Sequence, residues 1–215
     1  MSQIYQSLKF IELFESNINE DNIQYNKWLN EKFFLTLYRK TYINNKGITL
    51  PSTFKDDVDV GIFDNVHEAL QYASENYVAY SFSVFYMKLI NEHMHVHRSN
   101  EGFLFTKGLG FDMDNGKITI DDSIKYNTEN KYKSVIWPTK SHQIAKNNDA
   151  ACDRFRIGLE FEEILSRSNK DYVKKIYQYY GSQFVNNEYD AKCNDLARFF
   201  WTSEHDLIKL NGNQL

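Results

Sequence analysis

Proline and cysteine are nearly missing from this 215-residue chain, which has two of each, and its nine glycines are thinly spread. With no proline- or glycine-rich stretch there is no flexible linker, and neither an internal repeat nor a low-complexity tract is visible. Cys152 and Cys193 form no Cys-x-x-Cys pair and read as reduced thiols of an intracellular protein. The N-terminus, Met1 to Tyr5, lacks the basic-then-apolar pattern of a secretory leader. The longest apolar-looking run, Tyr77 to Met87, is too short and too polar to span a bilayer. A soluble, cytoplasmic protein without a membrane partner is the expectation. Positive charge is not in excess either: 25 Lys and Arg stand against 29 Asp and Glu, a net charge of −4. A protein that grips nucleic acid by bulk electrostatics is usually basic, so any DNA or RNA here must be held by local basic patches.

What the chain does have is apolar material. It is 42% hydrophobic, with 16 Phe and 15 Tyr, which supplies a packed core and excludes wholesale disorder. Its length suits one full domain with a lobe attached. We expect residues 1–64 to be a mostly helical N-terminal lobe. Leu8, Ile11, Leu13 and Phe14 suggest one amphipathic helix; Trp28, Leu29 and the run Phe33 to Tyr38 suggest a second, with Arg39 and Lys40 near its end. The acidic stretch Asp56 to Asp59 reads as a solvated loop. A second unit, 65–215, opens with a helix capped by Asn65 that places Val66, Ala69, Leu70 and Ala73 on one face.

Beyond that helix the pattern turns to strand. Tyr77 to Phe85 alternates, Gly102 to Asp114 is extended, and Asn115-Gly116 is a type I′ hairpin signal from which Lys117 to Ile120 should return antiparallel. Ser134 to Trp137 and Arg154 to Phe161 read as further strands, and Arg198 to Trp201 as the last. Ser168 with Asp171 should start a helix that Gly181 ends. Antiparallel strands interleaved with helices indicate an α+β fold, and an RRM-like antiparallel sheet with flanking helices fits.

Asp112 and Asp114 carry the first chemistry. Two residues apart on a strand, they share a face at about 6 to 7 Å spacing, with Phe111 and Met113 turned to the core. Side-by-side carboxylates repel unless a cation lies between them, and Mg²⁺ takes such oxygen ligands. The plainer account is two solvated aspartates entering an Asp-Asn-Gly turn. Thr139, Lys140, Ser141 and His142 follow a strand directly, where hydroxyls, an amine and an imidazole can meet a triphosphate. Arg154 and Arg156 alternate onto the polar face of the next strand, and guanidinium forks suit phosphate oxygens. Glu188, Asp190 and Asp195 are further acids; Asp190 is preferred as the third carboxylate, and Asp195 is assigned to hold Arg198.

The order of these segments resembles the archaeo-eukaryotic primase superfamily, and within it the primase-polymerases of phages and plasmids. The segments that carry the likeness are Phe111 to Asp114, Thr139 to His142, Asp153 to Ile157 and Asp190 to Phe200, with Tyr77 to Phe85 as the strand ahead of them. The likeness spans about residues 65–205. It implies template-directed nucleotidyl transfer, as a DNA primase, a DNA polymerase or both, on single-stranded DNA with a dNTP or NTP. It also implies Asp112, Asp114 and Asp190 as catalytic ligands of two divalent ions, Mg²⁺ or Mn²⁺. Thr139, Lys140, Ser141, His142, Arg154 and Arg156 would bind the nucleotide. A replicative helicase is an implied partner; the chain has no Gly-x-x-x-x-Gly-Lys-Ser/Thr loop of its own. One departure is Lys140, which stands where the family has a small residue.

Two other readings stay open. His95 and His97 share the His-hydrophobic-His pattern of rolling-circle initiator nucleases, although no tyrosine after His97 has the lysine four positions on that those enzymes need. A non-catalytic nucleic-acid-binding module with the same fold is the other.

Overall fold

The structure, a computed structural model, describes residues 3–6, 9–12, 14, 23–145, 150–185 and 189–212. It is a mixed α+β fold built on two five-stranded antiparallel sheets. The first sheet comprises β1 (Gln3–Gln6), β2 (Phe33–Tyr38), β5 (Val58–Phe63), β6 (Ala79–Ser81) and β13 (Phe200–Trp201), in the order β1-β5-β2-β6-β13. The second comprises β7 (Ser83–Phe85), β10 (Phe103–Met113), β11 (Ser134–Pro138), β12 (Phe155–Ser166) and β14 (Ile208–Leu210), in the order β14-β11-β12-β10-β7. Two small hairpins, β3 (Thr41–Ile43) with β4 (Thr49–Pro51) and β8 (Met87–Ile90) with β9 (His93–Val96), project from these sheets.

The expectation of a mostly helical segment 1–64 is corrected. Helix α1 (Ile23–Asn30) contains Trp28 and Leu29, but Phe33 to Tyr38 is strand β2 with all six residues buried. A continuous apolar run fits a fully buried strand as well as a helix, and periodicity alone does not separate them. The first sheet therefore draws β1, β2 and β5 from before residue 64 and β6 and β13 from after it. Residues 9–12 and 14 are helical, and Phe14 stacks 4.9 Å from Phe105, whereas Leu8 and Leu13 lie outside the described residues.

The acidic stretch is not a solvated loop either. Asp59 sits inside β5 at 1% exposure, held by Arg39 at 2.6 Å and by the Tyr77 hydroxyl, which donates to it at 2.7 Å. Burial pushes its carboxyl above the ordinary range in spite of Arg39. Arg39 and Lys40 thus follow a strand, not a helix, and Lys40 pairs with Asp57 at 2.7 Å.

Helix α2 (Val66–Asn76) matches its pattern: the Asn65 side chain accepts from the Glu68 amide, and Val66, Ala69, Leu70 and Ala73 are buried. These residues join Leu35, Phe82, Leu109, Trp137 and Ile157 in a core shared by both sheets. The chain between β6 and β7 changes sheet at Phe82. Thr106 donates its hydroxyl to the Phe82 carbonyl and Thr36 donates to the Ser83 carbonyl, pinning the crossing from either side.

The expected hairpin at Asn115-Gly116 does not form. Gly116 has φ of 71° and Asn115 is not in the positive region, whereas a type I′ turn needs both. Instead Thr119 opens helix α3 (Ile120–Glu129) with a reciprocal capping box: its hydroxyl accepts from the Asp122 amide and Asp122 accepts from the Thr119 amide. Thr119 bonds hold the Asp122 carboxyl below its usual range. Asp153 reinforces this end by accepting from the Ile120 amide at 2.9 Å. Helix α4 (Lys170–Val185) runs through Gly181, where a side chain would strike the Tyr189 ring; the glycine permits close packing and is not a stop. The Ser168 hydroxyl meets that of Ser166 at 2.8 Å and does not cap the helix. The strand expected at Arg198 to Trp201 shrinks to Phe200–Trp201, and β14 is the last strand. Among the described residues no helix is long and apolar enough to cross a membrane.

Lys107, at the irregularity between Thr106 and Gly108 in β10, is fully buried and donates to the Glu162 carbonyl. Burial, opposed by the attraction of Glu160, pulls its pKa down to about 8. The unfolded chain keeps that proton to about pH 10.4. Between the two values the unfolded state binds more protons, so this group makes stability rise with pH. Lys107→Met should be more stable than the parent at pH 7, and chemical denaturation at several pH values should find the difference closing by about pH 10. A difference independent of pH would mean that Lys107 is not the titrating group.

Candidate functional site

The register of the second sheet explains how the charged residues meet. Across β10 and β12, Asp112 is the direct partner of Arg156, and Trp137 of β11 faces Arg156 from the other side. Two positions on, Asp114 and Arg154 continue the same ladder just beyond the paired strands. An Asp-x-Asp read in one direction thus lies against an Arg-x-Arg read in the other, which gives two cross-strand opposite-charge pairs on one face.

The inner pair is the more enclosed. Arg156 Nε lies 3.4 Å from Asp112 Oδ1, its NH1 donates to the Trp201 carbonyl, and its guanidinium stands 5.6 Å above the Phe200 ring. Arg198 approaches from the opposite side and places one nitrogen 3.4 Å from Asp112 Oδ2 and 3.2 Å from Asp190 Oδ2. Asp190 is also tied to β10 by its amide, which donates to the Asp112 carbonyl at 3.0 Å. The assignment of Arg198 to Asp195 is therefore corrected. Asp195 accepts from the Ala197 amide at 3.0 Å in a local turn, and Asp190 is the acid that reaches Arg198. Glu188 lies outside the described residues. The Arg198 Nε is buried with no hydrogen-bond partner among the described residues. Cys193 lies beneath this cluster, and burial pushes its thiol up to about 12, so it is not a reactive thiolate.

The outer pair organises a loop. Arg154 is 2% exposed: its NH1 donates to the carbonyls of Ser141 at 3.1 Å and Ile144 at 2.5 Å, while its Nε lies 3.6 Å from Asp114 Oδ1. Arg156 is also largely buried; the two arginines share a face as expected, with Arg154 covered by the loop and Arg156 left at the edge of a cleft. The Arg154 amide donates to His142 Nδ1 at 3.4 Å, and the Asp153 carboxylate stands 3.9 Å from the same nitrogen. The Thr139 and Ser141 hydroxyls face each other at 3.1 Å, and the His142 amide closes the turn onto the Thr139 carbonyl.

A cleft of about 880 Å³ opens beside this loop, lined on one side by Thr139, Lys140, Ser141 and Arg156 and on the other by Tyr77 and Trp201. The volume suits a small organic ligand. Lys140 reaches outward, 3.9 Å from Glu204. His142, Asp112, Asp114 and Asp190 are not on the cleft wall; Arg156 is the residue that touches both cleft and carboxylates. Sequence reasoning missed Arg198 as the bridge and the stretch Trp201 to Glu204 as a wall. The alternation of Arg198 with Phe200 was the available signal for the first.

The histidine pair does not converge. The His95 Nδ1 meets the Thr53 hydroxyl at 3.1 Å, and the His97 Nε2 meets the Ser99 hydroxyl at 3.0 Å. Among the described residues no group of three or more His, Cys, Asp or Glu side chains is arranged to hold a metal ion. Neither a family model, nor a curated protein, nor a solved structure matches this chain.

Proposed function

We propose that the chain is a template-directed nucleotidyl transferase of the primase-polymerase kind, with its nucleoside triphosphate seated in the cleft beside Thr139, Lys140, Ser141 and Arg156. One observation carries this reading. Four segments far apart in sequence, around Asp112, Ser141, Arg154 and Asp190, meet at one end of the second sheet with a cleft of nucleotide size alongside. The path β10-α3-β11-β12-α4, with β12 between β10 and β11, supports an RRM-like core.

Asp112 and Asp190 both direct an oxygen at a single Arg198 nitrogen, so the pair fits one hard cation in place of that guanidinium. Asp114, half exposed and beside Arg154, stands apart from that pair. A cation held by Asp112 and Asp190 would supply acidity to an attacking hydroxyl and charge to steady a leaving pyrophosphate. The chain's own groups do the rest. Lys140 and Arg156 meet phosphate oxygens, the Thr139 and Ser141 hydroxyls donate to them, and Asp112 holds Arg156 in its orientation.

Incubation with labelled dNTP or NTP, Mg²⁺ or Mn²⁺ and single-stranded template, with and without primer, tests the proposal; metal-dependent incorporation is the expected result. Lys140→Ala should raise KM for the triphosphate about tenfold, the size of one charge-assisted contact, and leave the melting temperature alone because the side chain is exposed. An unchanged KM would remove Lys140 from the site. A second reading, nucleotide binding without transfer, draws on the guanidinium already engaging each carboxylate. Saturable triphosphate binding with no incorporation under any metal would favour it.

A further inference from the structure

Exposed apolar side chains are not scattered over this protein. Of the nine large hydrophobics exposed among the described residues, six lie on the two projecting hairpins and the link between them: Tyr42, Ile43, Ile48, Phe54, Leu89 and Ile90. The hairpins form one feature. Phe54 bridges to His95, the Val96 amide donates to the Thr53 carbonyl at 2.8 Å, and the Thr53 hydroxyl meets His95 Nδ1. The Phe54 ring, 47% exposed, lies 4.3 Å from the His95 ring and 5.9 Å from that of His93. Tyr42 is exposed to a similar degree on the neighbouring hairpin.

The charge around these rings runs against that of the whole chain. In a protein of net charge −4, residues 39–55 carry Arg39, Lys40, Lys46 and Lys55 and no acid. Arg39 and Lys40 are used at the base by Asp59 and Asp57, while Lys46 in the β3–β4 turn, Lys55 next to Phe54 in sequence and Lys88 opposite His95 in the β8–β9 ladder are exposed, with Asp56 and Glu92 as acids of the same segments. Both tips are fixed turns. Asn91 and Glu92 take φ of 48° and 66°, and the Asn44 side chain accepts from the Lys46 and Ile48 amides ahead of Gly47 at φ 73°. The feature adjoins the cleft, since Thr49 at the start of β4 lies on the cleft wall.

We propose that these hairpins are a stacking platform for single-stranded nucleic acid, which runs over Tyr42, Phe54 and the two histidines toward the cleft. Flat rings flanked by lysines suit a strand with exposed bases and a charged backbone, and they suit it without sequence preference. The direction toward the cleft rests on the transferase reading; the binding itself does not.

The test is fluorescence anisotropy with labelled oligo(dT) of about 20 nucleotides, a length that covers one or two such sites. The full chain is compared with Tyr42→Ala/Phe54→Ala and with Lys46→Glu/Lys55→Glu, and all melting temperatures are matched first. The aromatic pair should weaken binding at least tenfold, the loss expected for one or two stacked bases. The lysine pair should also weaken it and flatten its salt dependence. Binding of oligo(dT) equal in all three proteins overturns the platform. So does absence of binding by the parent, including the case in which sedimentation finds self-association lost in the aromatic variant, which assigns the patch to a second copy. Platform-dependent binding without nucleotide incorporation would sink the transferase reading alone. Incorporation with platform-independent binding would sink the platform alone.

Discussion

Asp112→Ala should abolish nucleotide incorporation and lower the melting temperature by about 6 to 12 °C, a loss of about 3 kcal/mol in a domain of this size. Two clustered carboxylates considered by themselves suggest the opposite for stability, because removing one relieves repulsion. The geometry reverses that sign. Asp112 separates two guanidiniums, Arg156 at 3.4 Å and Arg198 at 3.4 Å, in a place where only 14% of its side chain is exposed. Without it the buried Arg156 and the partly buried Arg198 lose the charge between them, and Arg198 keeps Asp190 as its ion-pair partner. Asp112→Asn retains an oxygen acceptor and the side-chain shape, so it should lose less stability with the same loss of activity. Adding Arg198→Gln to Asp112→Asn should restore part of the melting temperature and none of the incorporation. Thermal melts and incorporation assays on the same samples decide. Near-normal turnover by Asp112→Asn would end the catalytic assignment, and an unchanged melting temperature for Asp112→Ala would end the ion-pair account.

Asp190→Asn should cost orders of magnitude in rate, whereas Asp195→Asn should be active and nearly as stable as the parent. Asp190 shares the Arg198 nitrogen with Asp112 and is bonded to β10 through its amide. Its other oxygen accepts from the Lys192 amide, a bond that asparagine retains, so the destabilisation should stay within about 1 to 3 kcal/mol. Asp195 is exposed and makes its turn bond to the Ala197 amide, which asparagine can also make. An inactive Asp195→Asn beside an active Asp190→Asn would move the third carboxylate to Asp195.

How far the residues disclosed their own arrangement depends on the range of the interaction that decides it. Helix α2 was legible because its cap and its apolar face lie within eleven consecutive residues. The segment from Asn115 to Thr119 was misread because two local signals compete there, and the capping box, with Asp153 bound to the helix end, outweighs the Asn-Gly turn. Gly181 has its reason in Tyr189, across a gap that pattern does not reach. For the candidate site, the residue types and their order were readable, as was the shared face of Asp112 and Asp114. The antiparallel register that sets Asp112 against Arg156 was not, because pairing partners are fixed by the whole sheet. The same limit hid the enclosure of Arg154, whose partners are loop carbonyls that follow another strand.

The crossing at Phe82 ties together the two sheets that carry the walls of the cleft. One wall comes from Tyr77 and Val78, immediately ahead of β6, and the other from the loop that follows β11. Because the chain runs from β6 straight into β7, pinned by Thr36 and Thr106, the two sheets are held together along a hydrogen-bonded seam. Arg156 adds a second tie, reaching from β12 to the Trp201 carbonyl of β13. The stretch Trp201 to Glu204 joins the walls once more, the Thr202 hydroxyl donating to the Tyr77 carbonyl and the Ser203 hydroxyl to that of Pro138, so a ligand would meet a cleft whose shape is already bonded in place.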